Sequence, residues 1–183
     1  MPAPSLKTKR LLLRQWKDSD LPFFAKMNAD ARVMECFPST LSREESDSLA
    51  ERIQKELKEK EYGFWAVEVV GIAPFIGFVG LHYLDFPAAF TPCIEIGWRL
   101  AHDHWGKGYA REAAEKAIDY AFNTLKLREI VSSTTPNNKR SWSLMEKLGM
   151  THNPKDDFLH TKLPKDHPLA FHLLYRKQNP NNN

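Results

Sequence analysis

The sequence predicts an α+β fold with a mixed β-sheet in a single domain. Its length of 183 residues suits one domain that can bury most of its apolar surface. Apolar residues make up 42% and charged residues 27%, a balance typical of soluble globular proteins. The hydrophobic pattern predicts, in chain order, one strand, two helices, three strands, a helix, a strand, a helix and a final strand. We expect one domain over 1–183, with a core over about 6–177 and a disordered tail over 178–183.

The first half of the chain supplies a strand, two helices and a run of three strands. Residues 8–16 have the length and apolar content of a first strand, and a short helix follows. A second helix fits residues 42–60, because Ser42 and Glu45 have the spacing of a capping box. Three strand-like runs bounded by turn residues cover 64–70, 75–83 and 93–100. An antiparallel meander is the simplest arrangement of these strands.

The most regular helix lies over residues 108–125. Its inward face is nearly all alanine, which lets its backbone approach a sheet closely. The alanines at helical spacing are Ala110, Ala113, Ala114, Ala117 and Ala121. A strand over 129–134, a short helix over 139–148 ended by Gly149, and a final strand over 170–175 complete the pattern.

Charge and cysteine content exclude several classes of protein. The net charge of +3 is far below that of a dedicated nucleic-acid binder, so no direct nucleic-acid partner is expected. No apolar run approaches the ~20 residues that cross a bilayer, and the first residues lack a signal-peptide core, so we expect a cytoplasmic protein without a membrane partner. Cys36 and Cys93 form no C-x-x-C pair and should be reduced. The seven histidines show no metal-binding spacing, so no metal is proposed.

The segment Trp105–Ala110 has the most specific chemistry. It lies between a strand and a long helix, and its glycines let the backbone turn so that several N–H groups point at one spot. Those donors, the helix dipole and Lys107 predict a site for phosphate or pyrophosphate. The segment does not match two familiar phosphate-binding motifs. A P-loop needs Ser or Thr at the position of Gly108, and a dinucleotide-binding fingerprint needs glycine at the position of Arg111. A glycine-rich turn without a ligand is the alternative.

The sequence Trp105-Gly-Lys-Gly-Tyr-Ala110 resembles the pyrophosphate loop of the GNAT acetyltransferase superfamily, Gln/Arg-x-x-Gly-x-Gly/Ala. Gly108 and Ala110 match its fourth and sixth positions. Trp105 replaces Gln/Arg, and a tryptophan there is familiar from the RimJ/RimL-like branch, which acetylates N-termini of ribosomal proteins. Three further segments resemble that branch in the right order, and these are 8–14, 95–100 and 138–150. The resemblance therefore covers roughly residues 8–150.

This resemblance implies a sheet of about six to seven strands that splay at an acetyl-CoA cleft, with about four flanking helices. The cleft would lie between the strand ending near Leu100 and the strand over 129–134. Pantetheine would pair with the backbone near Trp98 and Leu100, where an N–H is also the expected oxyanion donor. The pyrophosphate would lie on the amides of Trp105, Gly106, Lys107, Gly108, Tyr109 and Ala110. Asn138 would hydrogen-bond the cofactor, and a plain helix N-cap is its alternative role.

The implied reaction is an acetyl-CoA-dependent N-acetylation, in which a primary amine attacks the thioester directly in a ternary complex. Such a reaction needs a base for the amine, donors for the oxyanion and an acid for the leaving thiolate. Glu95 is the candidate base or proton relay, and an ion pair with Arg99 is the alternative. Ser141 is the candidate for the thiol end, because Met145 stands where many relatives have a tyrosine acid. Supporting the helix N-terminus is the alternative role of Ser141.

The acceptor amine stays open between a protein N-terminus, an amino acid, a polyamine and another small amine. In the family, the first two helices and their connection shape the acceptor side. Phe37 and Tyr83, with His82 and the 85–92 loop, are therefore candidate substrate-binding residues, although Phe37 and Tyr83 fit a core equally well. Two other functions are a GNAT-fold acyl-CoA-binding regulator without catalysis and an RNA- or ribosome-binding protein. A homodimer through the outer strands is a further hypothesis.

Overall fold

A computed structural model of the protein describes residues 1–181. The chain divides into two compact units. The first unit comprises Met1–His82 and Gly97–Ala117, and the second comprises Tyr83–Ile96 and the chain from Ile118 onward. No helix within residues 1–181 combines the length and the apolar character that crossing a membrane requires.

An antiparallel run of strands and three helices make up the first unit. They are β1 (Leu6–Lys7), β2 (Leu11–Arg14), α1 (Leu21–Asn28), α2 (Arg43–Glu59), β3 (Phe64–Val69), most of β4 (Ala73–Leu84), the end of β5 (Cys93–Leu100) and most of α3 (Tyr109–Asp119). Short 3-10 turns cover Asp18–Asp20 and His102–His104. The strands β1, β2, β3 and β4 pair in chain order, each antiparallel to the next. The expected meander is therefore confirmed for β3 and β4.

The α2 helix forms where its capping signals predict it. The Ser42 hydroxyl accepts a hydrogen bond from the Glu45 N–H at 3.2 Å, and the Glu45 carboxylate accepts one from the Ser42 N–H at 2.7 Å. The inward face of the helix buries Ala50, Ile53 and Leu57. Removing an isoleucine or leucine side chain from water contributes about 1.5–3 kcal/mol, so this face anchors the helix.

The α3 helix has the expected alanine face, but it ends earlier than the sequence predicts. Ala113, Ala114 and Ala117 are fully buried, which confirms the close approach of this helix to the surrounding structure. Regular helix stops at Asp119, and a π-turn over Tyr120–Thr124 follows, in which the Leu125 N–H donates to the Tyr120 carbonyl at 3.1 Å. The sequence predicted one regular helix to residue 125, because apolar spacing does not distinguish a widened last turn from an α-turn.

The second unit is built around a long C-terminal strand. Its elements are the start of β5, the π-turn, β6 (Glu129–Thr134), α4 (Lys139–Lys147), β7 (Thr151–His152), a 3-10 turn at Pro154–Asp156, β8 (Phe158–Leu159) and β9 (Phe171–Gln178). β6 is antiparallel to β9 over six residue pairs, and β7 and β8 also pair with β9. β5 is parallel to β6 and meets it at one position, Glu95 opposite Val131. The pairing in this unit is therefore mixed, as expected. Within residues 1–181, six strands are longer than two residues.

The structure differs from the expected disordered tail at the first residues of that segment. Gln178 ends β9, and Asn179 is only 4% exposed. The Asn179 side-chain amide donates to the carbonyls of Leu127 at 2.9 Å and Phe122 at 3.2 Å. The polar composition of the tail could not indicate this, because the partners lie more than fifty residues away. The end of the expected tail, residues 182 and 183, lies outside the described residues.

Candidate active site

The segment 105–110 forms a tight turn at the start of α3. Gly106 and Gly108 have φ angles of 72° and 78°, a left-handed conformation that glycine adopts without the penalty other residues meet. Within the described residues, no backbone N–H from Gly106 to Arg111 donates to a protein acceptor. Unpaired amides at the positive end of a helix dipole form a site for an anion. This geometry agrees with the anion site that the sequence predicts.

Two side chains fix the loop from its ends. The Trp105 indole N–H donates to the Leu100 carbonyl at 2.8 Å and so ties the loop to the end of β5. Arg10 donates to the Lys107 carbonyl at 3.0 Å, and its guanidinium lies 4.7 Å from the centre of the Tyr109 ring. Trp105 therefore has a structural contact in place of the polar contact that the usual Gln/Arg would make. The role of Arg10 was missed from the sequence, because it lies 97 residues from its partner.

Glu112, in the first turn of α3, holds Arg10 in this position. Its carboxylate accepts hydrogen bonds from the Thr8 hydroxyl at 2.6 Å, the Arg10 N–H at 2.9 Å and the Arg10 Nε at 2.7 Å. Burial acts to raise the pKa of Glu112, but these hydrogen bonds outweigh it and hold the pKa below its usual value. The turn between β1 and β2, which contains Thr8 and Arg10, is thus part of the structure that supports the loop.

The positive side chain in the loop is Lys107. Its ammonium group donates to the Asp103 carbonyl at 2.8 Å, and the side chain is exposed. Burial, and secondarily the charge of Lys107, lower the pKa of His104. The imidazole of His104 is therefore neutral near neutral pH, and the cations beside this turn are Lys107 and Arg10.

Arg99 and Phe37 meet in the first unit. The Arg99 guanidinium carbon lies 4.2 Å from the centre of the Phe37 ring, and Nη1 donates to the Asn28 side-chain oxygen at 2.8 Å. Asn28 is fully buried and donates to the Ser46 hydroxyl at 2.9 Å. Phe37 is 38% exposed, so the alternative of a core residue is wrong for it. Asn28 is the hydrogen-bond partner of Arg99 within residues 1–181.

Arg99 is half-buried, and its electrostatic surroundings are unusual for an arginine. Its Nε is buried without a hydrogen-bond partner in the described part of the chain. Burial lowers the pKa of Arg99 to about 10, because the charged form loses hydration. The buried Arg14, by contrast, is paired with Asp20 at 2.8 Å and with Glu68 at 2.9 Å, and its pKa is raised. Arg99 lacks the carboxylates that compensate Arg14.

Glu95, the candidate base, lies in the second unit. The Ser133 hydroxyl donates to Glu95 Oε1 at 2.8 Å. The neighbouring Ser132 hydroxyl donates to the Ile96 carbonyl at 2.9 Å, so two successive serines of β6 contact the start of β5. Burial, and to a smaller extent the nearby Glu95 carboxylate, raise the pKa of the Cys93 thiol to about 11. Cys93 therefore stays a neutral thiol at neutral pH and is a poor nucleophile.

Asn138 and Ser141 lie together at the start of α4. The Asn138 side-chain oxygen accepts a hydrogen bond from the Ser141 N–H at 3.3 Å, which confirms Asn138 as the helix N-cap. The Ser141 hydroxyl has no hydrogen-bond partner among the described residues. The alternative role, in which this hydroxyl supports the N-terminus of α4, needs such a hydrogen bond and is not seen in that part of the chain. Met145 is 1% exposed and has no proton to donate.

Two further predicted site regions lie on β5 and after β4. Leu100 is buried and Trp98 half-buried. Tyr83 is 40% exposed, so a core role is wrong for it. In the 85–92 loop, Phe90 lies 4.7 Å from Phe158 between ring centres. Within residues 1–181, no group of three or more His, Cys, Asp or Glu side chains is placed to hold a metal ion.

Comparison with known proteins identifies the family. Residues 10–151, well over half of the chain, match the family described as an acetyltransferase (GNAT) domain. The chain belongs to the GNAT acetyltransferase family. This GNAT protein is 31% identical over 148 residues to the uncharacterized protein YkkB of Bacillus subtilis, a match that covers 79% of this chain and 84% of YkkB. It is 26% identical over 142 residues to the spermidine N(1)-acetyltransferase of Vibrio cholerae, covering 76% of this chain and 78% of that protein.

Solved structures agree with the family assignment. An acetyltransferase from Agrobacterium tumefaciens is 28% identical, with a TM-score of 0.77 over 97% of this chain and 96% of its own. The fold is also that of the ribosomal-protein-S5-alanine acetyltransferase of Vibrio fischeri, with a TM-score of 0.73, 20% identity and coverage of 97% and 98%. The GNAT protein is thus an acetyl-CoA-dependent acyltransferase.

Proposed function

We propose that the protein transfers an acetyl group from acetyl-CoA to a primary amine by direct attack in a ternary complex, with residues 105–110 binding the donor's pyrophosphate. The observation that supports this most strongly is the row of unpaired N–H groups from Gly106 to Arg111. A pyrophosphate fits this row, because it offers several acceptor oxygens and negative charge to the helix start. When bound, acetyl-CoA supplies the activated thioester.

The remaining roles fall to side chains of the second unit. Glu95 takes the proton that an ammonium acceptor must lose, and the Ser133 hydrogen bond at 2.8 Å orients its carboxylate for this task. The Ser141 hydroxyl, which has no protein partner within the described residues, donates a proton toward the leaving sulfur. Asn138 caps α4 and adds a hydrogen bond to the cofactor.

The acceptor proposal is a protein N-terminal amine, with a small amine as the second candidate. The names of similar proteins point to both classes, since one is called a ribosomal-protein-S5-alanine acetyltransferase and another a spermidine N(1)-acetyltransferase. A shared fold does not determine the acceptor, so side chains on the acceptor side must decide between these classes.

The decisive experiment is a calorimetric titration of acetyl-CoA into the wild-type protein, Gly108→Val and Gly71→Val. Gly108 and Gly71 have matched φ angles of 78° and 74°, so valine strains both backbones similarly. Gly71 lies in the turn between β3 and β4, where a Cβ added to the glycine would meet no heavy atom within 4 Å beyond its chain neighbours. We expect micromolar binding by the wild type, a loss of at least about tenfold in Gly108→Val and no change in Gly71→Val.

Two results would contradict the proposal. Absence of acetyl-CoA binding by the folded wild-type protein would make the loop a structural turn. Equal affinities of Gly108→Val and the wild type would place the pyrophosphate elsewhere. Equal losses of acetyl-CoA affinity in both variants would indicate general destabilisation. Circular dichroism of each variant shows whether it is folded and so distinguishes destabilisation from a local effect on the loop.

A further inference from the structure

Arg99 combines partial burial, rigid positioning and a charge that no carboxylate within residues 1–181 pairs. Within residues 1–181 its hydrogen-bond partner is the neutral Asn28, at 2.8 Å, and its buried Nε has none. Removing a cation from water without a counter-charge is costly, so proteins usually pair a buried arginine with a carboxylate. Arg14 in the same unit follows that rule with Asp20 and Glu68. A charge kept without such a partner is available to an anionic ligand.

The surroundings of Arg99 hold its guanidinium without neutralising it. The Phe37 ring centre lies 4.2 Å and the Phe78 ring centre 5.5 Å from the guanidinium carbon, while Asn28 fixes Nη1. The strand backbone is fixed too, because a Cβ at Gly77 would lie only 2.1 Å from the Arg99 carbonyl oxygen. Gly77 has a φ of 137°, so glycine is needed for this close approach. An anion would therefore meet a preorganised cation.

We propose that Arg99 binds a carboxylate of the acceptor, so that the preferred substrate is an amine that also bears a carboxylate. This inference rests on the proposed function, in which the backbone of the flanking residues Trp98 and Leu100 faces the acetyl donor. The guanidinium donors that Asn28 does not use can hydrogen-bond a carboxylate, the planar anion that matches their geometry. The half-exposed Phe37 ring offers an apolar contact beside it. A polycationic amine is disfavoured there by like-charge repulsion.

The carboxylate could be the α-carboxylate of an amino acid or an acidic side chain near a peptide N-terminus. Steady-state acetylation would be measured with free amino acids and their α-amides, with peptides bearing Asp or Glu at the second position and their Asn or Gln counterparts, and with spermidine. We expect the acidic member of at least one pair to have at least a tenfold higher kcat/KM. Whichever pair shows the preference identifies the source of the carboxylate.

The variants are Arg99→Gln, Arg99→Lys and the control Arg32→Gln. Arg32 is an exposed arginine paired with Asp30 at 2.6 Å in the connection between α1 and α2, so its replacement makes the same change in net charge. In Arg99→Gln the acidic preference should fall below twofold, while Arg32→Gln keeps it. Arg99→Lys retains the positive charge and should keep part of the preference for the acidic substrate. If Arg99→Gln does not fold, Arg99→Lys still tests the proposal.

A second readout does not depend on turnover. N-acetylglycine and N-acetylglycinamide, which differ only in the carboxylate, are titrated into wild type and Arg99→Gln with and without coenzyme A. We expect the carboxylate probe to bind the wild type at least tenfold more tightly, and this difference to vanish in Arg99→Gln. Equal affinities for the two probes, or a preference that survives Arg99→Gln, would make Arg99 a structural residue. Failure of coenzyme A to bind would instead overturn the proposed function, and the titrations without it would still decide the role of Arg99.

Discussion

At the scale of single residues, Glu95 is the proposed base, and it lies on a strand. Its carboxylate accepts a hydrogen bond from Ser133 at 2.8 Å, and its Cα pairs with that of Val131 in the parallel neighbour. A base fixed by a neighbouring strand loses little conformational freedom when the substrate binds. Its contribution to catalysis can therefore be measured by a substitution that keeps its shape.

Glu95→Gln should lower kcat about 100-fold and leave the KM for acetyl-CoA unchanged. The amide keeps an oxygen for the Ser133 hydrogen bond but cannot take a proton at neutral pH. The acidic limb of the pH profile of kcat should disappear along with the base. Ser133→Ala, which removes only the orienting hydrogen bond, should cause a smaller loss. A wild-type kcat and pH profile in Glu95→Gln would assign proton removal to water.

At the scale of elements, α2 and α4 both begin at a residue whose side chain caps the helix. Ser42 caps α2 through the Glu45 N–H, and Asn138 caps α4 through the Ser141 N–H. An N-cap residue is worth about 0.5–2 kcal/mol relative to alanine. The two caps differ in that Asn138 has a proposed role at the cofactor and Ser42 has none.

Ser42→Ala and Asn138→Ala should each lower the free energy of unfolding by about 1 kcal/mol in urea titrations. Only Asn138→Ala should also weaken acetyl-CoA binding, by about three- to tenfold, because a hydrogen bond to a ligand is worth about 0.5–1.5 kcal/mol. Ser42→Ala is the matched control for the effect of losing a cap. Unchanged acetyl-CoA affinity in Asn138→Ala would restrict that residue to capping.

Local patterns predicted the elements well, and long-range contacts escaped prediction. The capping box at Ser42 and the alanine face of α3 depend on residues within one or two turns, so the sequence displays them directly. The support of the loop by Arg10 and the burial of Asn179 depend on partners far along the chain. The contact of Arg99 with Asn28 also escaped prediction, because the two residues are 71 positions apart.

At the scale of the whole molecule, burial leaves three histidines with lowered pKa values. Burial is the largest cause for His104, His160 and His172. As pH falls through the ordinary value of 6.5, the unfolded chain takes up protons that the folded protein does not, so these groups reduce stability. Glu56 and Glu112 have lowered pKa values and stabilise the fold above the ordinary value of 4.5, and this stabilisation is lost below it.

The melting temperature should therefore decline in two stages as pH falls, first below about 6.5 and again below about 4.5. For a chain of this size, each kcal/mol corresponds to about 2–4 °C. His172→Phe should flatten the first stage, because a phenyl ring can pack beside Phe158 without titrating. His172 lies 5.5 Å from that ring. His167→Asn, in the connection just before β9, is the control. If the melting temperature of His172→Phe fell as steeply below pH about 6.5 as that of the wild type, the assignment would be contradicted.

The contact between Arg10 and Glu112 also constrains how this sequence can diverge. The two residues are 102 positions apart, yet they share an ion pair of 2.7 Å beside the turn at residues 105–110. A lineage that loses the acid at position 112 leaves the arginine without its partner, and the Lys107 carbonyl then loses a well-placed donor. Descendants of this gene should therefore exchange positions 10 and 112 together, as a coupled pair, while the exposed position 111 drifts independently.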